Sequence, residues 1–134
     1  IQAALGLGQL ERLDQLINRK RLIFKWYNKY LIQKNFKLVK ERKGAKSIYW
    51  MSSILINKNF SRNKLVKTLR KNQIDCRPCF PSISEYPIWK KYRTDKLINS
   101  KIVSNKGLNL PSGVNLKEGD IKKVCSVINN FFSK

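Results

Sequence analysis

The sequence predicts an α+β domain in which a small, mainly antiparallel sheet packs against helices and a long N-terminal helix precedes it. Three observations predict this class. The 134 residues are 42% hydrophobic, which is enough for one domain with its own core. Segments with a helical hydrophobic period alternate with short stretches rich in β-branched and aromatic residues. Prolines and glycines separate several of these segments.

Residues 2–33 are predicted to form one amphipathic helix, because their apolar residues recur mostly at spacings of three and four. These residues are Leu5, Leu10, Leu13, Leu16, Ile17, Phe24, Tyr27 and Leu31. A helix of about 30 residues spans roughly 45 Å, which is longer than a domain of this size buries. Residues 3–8 are small or apolar and uncharged, which is typical of a helix end that packs against another unit. Because the chain starts at Ile1 inside this helix, we expect a fragment of a longer protein.

Two strands and a helix are predicted next. Residues 36–41 form a short candidate strand, and after a basic turn residues 47–56 favour a central strand, because they are β-branched, aromatic and nearly uncharged. Ser61 suits the N-cap of a helix over residues 62–72. The apolar face of that helix holds Leu65, Val66 and Leu69.

The following segment combines a strand, a loop and a helix. Residues 74–79 are predicted to form a strand, which Pro78 places at an edge or at its last pairing residue. Residues 80–87 contain two prolines and are predicted to be a shaped loop, a kind of segment that often carries function. A helix is predicted around residues 89–105, and Gly107 is expected to take the left-handed conformation that ends many helices.

The chain is predicted to finish with a short extended piece and a helix. Residues 108–113 are the short extended piece, and it stops at a turn. The helix covers residues 117–132, with Asp120 in its first turn, where a negative charge suits the helix dipole. Its apolar face holds Ile121, Val124, Cys125, Ile128 and either Phe131 or Phe132.

The charge of the chain is strongly positive, with 29 Lys+Arg against 8 Asp+Glu and a formal net charge of +21. Such basicity suggests a polyanionic partner, either nucleic acid or an anionic membrane surface. The chain has 21 lysines but only 8 arginines, and Lys, Asn and Ile make up about a third of it. This skew fits the codon usage of an AT-rich genome, whereas phosphate-binding sites favour arginine. We therefore interpret most of the charge as surface background.

Nucleic-acid binding stays open as an alternative. Basic clusters at residues 19–21, 40–46 and 62–71 could contact phosphates, and several aromatic side chains could stack on bases. Those aromatics are Tyr49, Trp50, Trp89 and Tyr92. The charges are spread over every element and form no recognition motif, which disfavours this alternative.

The absence of histidine excludes several kinds of chemistry within this chain. Zinc sites with His ligands and Ser–His or Cys–His nucleophile pairs all need it. Cys76 and Cys79 have the spacing of a redox or metal motif, but there is no second pair, and we predict small buried or half-buried residues. With Cys125 the cysteine number is odd, and no signal-peptide pattern or long apolar run is present. We therefore expect a cytoplasmic setting without a membrane span.

One group of residues resembles a binding site, and it lies in the loop and its neighbours. A guanidinium beside hydroxyls and an aromatic edge could hold a phosphorylated or hydroxylated ligand. The group consists of Arg77, Phe80, Pro81, Ser82, Ser84, Asn109 and Ser112. A structural alternative is equally compatible with the residues: Arg77 in a surface ion pair and the serines as turn formers.

Several stretches together resemble the DegT/DnrJ/EryC1/StrS family of aminotransferases. They are residues 2–14 with the basic triplet 19–21, residues 77–81 with Pro87, and residues 108–111. The resemblance implies the C-terminal small domain of a fold-type I aminotransferase, with residues 1–34 as an interdomain helix and residues 35–134 as the small domain. Residues 49–51, 80–84 and 107–112 are most similar to perosamine synthetase-like members, although Ser84 replaces a histidine found in many relatives.

The resemblance also implies a function. Family members use pyridoxal phosphate to move an amino group onto a nucleotide-linked keto sugar, here with glutamate as the expected donor, and they work as homodimers. The cofactor-binding lysine belongs to a large domain upstream of Ile1, so no residue here is assigned to catalysis, cofactor or metal, and the isolated chain is expected to be inactive and cofactor-free. Arg77, Phe80, Ser82 and Ser84 are expected to line the sugar side of the cleft. A nucleic-acid-binding module and a non-catalytic structural remnant remain the alternatives.

Overall fold

The computed structural model describes residues 1–93 and 97–133, and in them the chain is α+β, as the sequence predicts. Its helices are α1 (Gln2–Leu10), α2 (Leu13–Tyr30), α3 (Arg62–Lys71), α4 (Ile98–Lys106) and α5 (Glu118–Phe132). Its strands are β1 (Phe36–Leu38), β2 (Ser52–Ile56), β3 (Arg77–Pro78) and β4 (Gly107–Leu110). Two short 3₁₀ helices, Ile83–Glu85 and Pro87–Tyr92, follow β3. None of the helices in the described part of the chain is long and apolar enough to cross a membrane.

The strands form one antiparallel sheet in the order β1-β2-β4-β3. β2 is therefore an interior strand, and its Ser52 pairs with Leu110 of β4. β3 lies at the edge and pairs Arg77 with Asn109. The edge position predicted from Pro78 is confirmed, and it tolerates proline because no further strand needs the missing N–H.

One hydrophobic core joins the sheet to three helices. Along β2 every second residue is buried, as the period of a strand requires. Helix α2 packs against α5, and α5 packs against α3. The buried residues of these helices are Ile23, Phe24, Tyr27, Leu65, Val66, Leu69, Ile121, Val124, Cys125, Ile128 and Phe132. The apolar faces predicted for α3 and α5 are thus confirmed.

The prediction of a single N-terminal helix is wrong in one respect, because the helix is interrupted at Glu11 and Arg12. The backbone of Arg12 leaves the helical region (φ −108°, ψ 8°), and its N–H bonds to Gln9 O three residues back rather than four. No residue of α1 is buried, so no packing within the described chain holds α1 in line with α2. Two glycines in α1 weaken it further, by about 1 kcal/mol each relative to alanine.

The two N-terminal strands are shorter than predicted. β1 ends at Leu38 and β2 starts at Ser52, not at residue 47. Tyr49 explains the late start, because its φ of 47° bends the chain out of the extended conformation. This conformation lets the Tyr49 ring stack on Phe24 with centroids 3.6 Å apart, and its hydroxyl accepts a bond from the Glu41 N–H at 3.1 Å.

The region of the predicted third helix differs from the expectation. Residues 87–92 are 3₁₀ rather than α-helical, α4 covers only Ile98–Lys106, and residues 94–96 lie outside the described residues. The left-handed conformation predicted for Gly107 is wrong, because its φ is −76°. Glycine is needed there for space: a Cβ would lie 2.5 Å from Val103 O and 2.6 Å from Cys79 Sγ.

The predicted helix starts are confirmed by their capping bonds. Ser61 Oγ accepts a hydrogen bond from the Lys64 N–H at 3.3 Å, as an N-cap does. The Asp120 carboxylate accepts one from the Lys117 N–H at 2.8 Å. Each bond satisfies a backbone donor that the first turn of a helix or its cap would otherwise leave unpaired.

Candidate functional site

A cavity of about 360 Å³ lies where β3, the end of β4 and the segment before β2 come together. Helix α2 contributes one side chain to it. The lining residues are Lys20, Trp50, Met51, Asp75, Cys76, Arg77, Pro78, Phe80, Asn109, Leu110, Pro111, Ser112 and Gly113. Polar and aromatic groups thus converge on a concave surface, which is the usual form of a small-molecule site.

Two of the four predicted site residues, Arg77 and Phe80, line this cavity. Arg77 lies on the edge strand with its side chain 80% exposed, and its guanidinium is 3.6 Å from the carboxylate of Asp75. Phe80 follows β3 and is 72% exposed. The predicted surface ion pair is therefore present, but it lies on the wall of a cavity. An exposed pair of this kind is weak, so the guanidinium can exchange Asp75 for an anionic ligand.

The other two predicted residues, Ser82 and Ser84, lie in the same loop but do not line the cavity. Ser82 is buried and Ser84 is half-buried. Their hydroxyl oxygens are 2.9 Å apart and share a hydrogen bond, and Ser82 O accepts a bond from the Glu85 N–H. These contacts show the serines acting as turn formers that hold the loop carrying Phe80.

Asn109 and Ser112 line the cavity, but their side chains are engaged in its frame. Asn109 Oδ1 accepts bonds from Ser53 Oγ at 2.7 Å and from Cys79 Sγ at 3.3 Å. Ser112 Oγ accepts from the Ser52 N–H and donates to Leu110 O, both at 2.9 Å. The Ser112 bonds extend the β2–β4 pairing beyond its last register pair. The Asn109 bonds tie β4 to β2 and to the residue after β3.

Lys20 is a lining residue that sequence analysis did not select. Its Nζ donates to Trp50 O at 2.9 Å and to Ser112 O at 2.5 Å. Burial lowers the pKa of Lys20. In the sequence it is one of three consecutive basic residues, and no local pattern distinguishes it from the other lysines. Trp50, 63% exposed beside it, was considered in the sequence as a stacking aromatic for nucleic acid and as part of residues 49–51, but not as a candidate site residue.

The two neighbours of Lys20 also point to backbone carbonyls. Arg19 donates to Val114 O and Leu116 O. Arg21 donates to both carboxylate oxygens of Glu41, each at 3.0 Å. It also donates to Ser47 O. The Arg21 hydrogen bond, with help from the Ser47 N–H, lowers the pKa of Glu41 to about 2. The nucleic-acid alternative needs the side chains of residues 19–21 to bind phosphates. In the structure these side chains instead donate hydrogen bonds to acceptors within the domain.

The prediction that Cys76 and Cys79 are buried or half-buried is confirmed. Cys76 is buried and Cys79 half-buried, and burial raises the pKa of both thiols. Both are therefore protonated at neutral pH and poor nucleophiles. Among residues 1–93 and 97–133, no group of three or more His, Cys, Asp and Glu side chains is placed to hold a metal ion.

The chain belongs to the DegT/DnrJ/EryC1/StrS aminotransferase family, whose sequence model matches residues 1–129. The family resemblance drawn from the sequence is thereby confirmed. GDP-perosamine synthase of Vibrio cholerae is 33% identical over 98% of this chain and 36% of its own length. The enzyme of the same name from Escherichia coli is 35% identical over 99% of this chain and 36% of its own length.

Solved structures agree on the fold. The crystal structure of S. venezuelae DesV matches with a TM-score of 0.90 at 18% identity, over 99% of this chain and 36% of that chain. The α+β fold predicted from the sequence is thus also present in a solved structure. This chain spans about a third of the length of the relatives it matches.

The cavity residues do not fit pyridoxal phosphate itself. That cofactor needs a lysine amine for a covalent bond, a carboxylate for its ring nitrogen and donors for its phosphate. Lys20 is held by two carbonyl oxygens, and the one carboxylate among the described lining residues, that of Asp75, faces Arg77. The arrangement suits a wall that binds a ligand, and we derive no cofactor step from these residues.

Proposed function

We propose that this chain is the C-terminal part of a pyridoxal-phosphate-dependent aminotransferase that moves an amino group from glutamate to C4 of a nucleotide-linked keto sugar, as in perosamine synthesis. The observation that carries the proposal is the position of residues 77–81. This stretch, which resembles the family loop in sequence, supplies Arg77 and Phe80 to the cavity wall. The GDP-perosamine synthase relatives support the sugar class.

In this proposal the cofactor supplies the electron sink for amino transfer, and residues outside this chain bind it. Arg77 and Lys20 place positive charge on the cavity wall, which attracts the diphosphate of a nucleotide sugar. Phe80 and Trp50 present exposed aromatic faces on the same wall, where a sugar or base can pack. Ser82 and Ser84 contribute through their shared hydrogen bond, which holds the loop.

The organisation that we propose has residues 1–34, which contain α1 and α2, as a connecting segment and residues 35–134 as the small domain of a homodimeric enzyme. The exposure of Leu5, Leu7 and Leu10, between 58% and 68%, supports this assignment, because exposed leucines are costly to leave in water. The second half of α2 shares the core of the small domain through Ile23 and Tyr27.

The test is a kinetic comparison in the full-length protein, with pyridoxal phosphate, glutamate and a GDP-linked 4-keto-6-deoxy sugar. We expect Arg77→Gln to raise KM for the sugar nucleotide about tenfold or more, because a hydrogen bond to a charged group contributes about 1.5–3 kcal/mol. KM for glutamate should stay within about twofold, since this donor carries no diphosphate. Arg42→Gln, at an exposed arginine of the turn before β2, is the matched control. A wild-type protein that does not aminate any nucleotide-linked keto sugar contradicts the proposal.

A further inference from the structure

Lys20 joins two cavity-lining segments that are far from it in sequence. Its two acceptors, Trp50 O and Ser112 O, lie 30 and 92 residues away. The last register pair between β2 and β4 is Ser52 with Leu110, so both acceptors lie two residues beyond the paired part of the sheet. At this end, the Ser52 N–H bond to Ser112 Oγ and the Lys20 bridge hold the two segments together.

Its position on α2 gives Lys20 a different task from its neighbours. Consecutive residues of a helix project about 100° apart, so three successive basic side chains reach three separate places. Arg19 holds the segment after β4 at Val114 and Leu116, and Arg21 holds the turn before β2 at Glu41 and Ser47. Of the three, Lys20 is the one that lines the cavity.

The two hydrogen bonds that Lys20 donates leave its positive charge at the cavity wall. Both acceptors are neutral carbonyl oxygens, so these bonds do not cancel the positive charge of the ammonium group. Lowering of the Lys20 pKa by burial agrees with a partly desolvated ammonium. A lysine in this place thus fixes the distance between two wall segments and adds a positive charge between them.

We propose that Lys20 is a positioning residue that sets the spacing of Trp50 and the Ser112 turn on one wall of the cavity, and through that spacing the fit of the anionic substrate. The inference rests on the proposed function, because it assigns Lys20 to the binding of the nucleotide sugar. A residue that only stabilised the fold would affect both substrates alike. A residue that sets one wall of the cavity affects the ligand that touches this wall.

The test has two arms on the full-length protein and uses the variants Lys20→Met, Lys20→Arg and Lys25→Met. Methionine keeps the apolar stem of lysine and removes its donor, and arginine keeps a charged donor. Lys25, an exposed lysine five residues further along α2, is the control. In the first arm, hydrogen–deuterium exchange is measured on peptides that cover residues 47–53 and 110–116. We expect exchange in both peptides to become about fivefold faster or more in Lys20→Met, while Lys20→Arg and Lys25→Met stay near wild type.

The second arm measures steady-state kinetics with glutamate and the GDP-linked 4-keto-6-deoxy sugar. We expect Lys20→Met to raise KM for the sugar nucleotide about tenfold, with KM for glutamate within about twofold and with recovery in Lys20→Arg. Equal changes for both substrates, or unchanged exchange in both peptides, overturn the inference. If the wild type shows no aminotransferase activity, the proposed function fails, and the exchange arm alone then decides whether Lys20 positions the wall.

Discussion

The substitution Gly107→Ala tests the packing that places β3 beside β4. A Cβ at this position would lie 2.5 Å from Val103 O, 2.6 Å from Cys79 Sγ and 2.9 Å from Cys79 Cβ. Because one of these atoms is backbone, the strain cannot be relieved by a rotamer change alone. Overpacking of a core costs about 1–3 kcal/mol, and three contacts this short put the expected loss at the upper end, about 3 kcal/mol. For a domain of this length that loss lowers Tm by about 10 °C.

The assay is urea unfolding followed by circular dichroism, with two companion variants. Gly119→Ala is the matched control, because a Cβ there meets no atom within 4 Å, and we expect it to stabilise α5 by about 0.5 kcal/mol. Adding Cys79→Ala to Gly107→Ala removes the sulfur but leaves Val103 O in place, so we expect partial recovery. A Gly107→Ala protein whose free energy of unfolding is within about 0.5 kcal/mol of wild type refutes this reasoning.

Three further predictions concern acid stability, a core hydrogen bond and the cofactor. The Arg21 hydrogen bond lowers the pKa of Glu41 from 4.5 to about 2. The ionised carboxylate therefore stabilises the fold fully above pH 4.5, and this stabilisation is lost as the pH falls from 4.5 towards 2. Glu41→Gln should therefore flatten the pH dependence of Tm in that window, and an unchanged acid-induced loss contradicts the assignment. Tyr27→Phe removes the hydroxyl that donates to Pro111 O at 2.9 Å and should cost about 1 kcal/mol in urea unfolding; a neutral variant contradicts the importance of this bond. The 134-residue chain, titrated with pyridoxal phosphate, should show no shifted absorbance and no borohydride-reducible lysine adduct, and either signal would refute the expectation.

Periodicity predicted the helices that bury one face against the core. In α5 the residues Ile121, Val124 and Ile128 recur at spacings of three and four and are buried, so the pattern in the sequence and the packing agree. The same rule predicted one N-terminal helix where the structure has two. The interruption at Arg12 is a backbone event that leaves the hydrophobic spacing nearly unchanged, and therefore the pattern does not show it.

Tertiary contacts explain why strand lengths and the role of Gly107 could not be predicted. Residues 47–51 have the composition of a strand, but stacking of Tyr49 on Phe24 draws the chain into a left-handed bend. Gly107 follows a helix, where a left-handed glycine is common. Its actual function is to make room for Val103 O and Cys79, which come close only in the folded chain.

Tertiary contacts also explain why only part of the candidate site could be predicted from the sequence. Arg77 and Phe80 lie within four residues of each other, and the edge strand brings both to the cavity. Ser82 and Ser84 are equally close in sequence, but the 3₁₀ turn directs them to each other. Lys20 comes from a helix 57 residues before Arg77, and only the folded chain shows which of the basic residues reaches the cavity.

The most direct test of the proposed function follows the nitrogen atom. The full-length protein is incubated with pyridoxal phosphate, ¹⁵N-labelled glutamate and a GDP-linked 4-keto-6-deoxy sugar, and the sugar product is analysed by mass spectrometry and NMR. We predict a product in which an amine that carries the label replaces the C4 carbonyl, with formation of an equal amount of 2-oxoglutarate. A sugar nucleotide recovered without label, under conditions in which the protein is folded and the cofactor is bound, would contradict the assignment of this chain to a sugar aminotransferase.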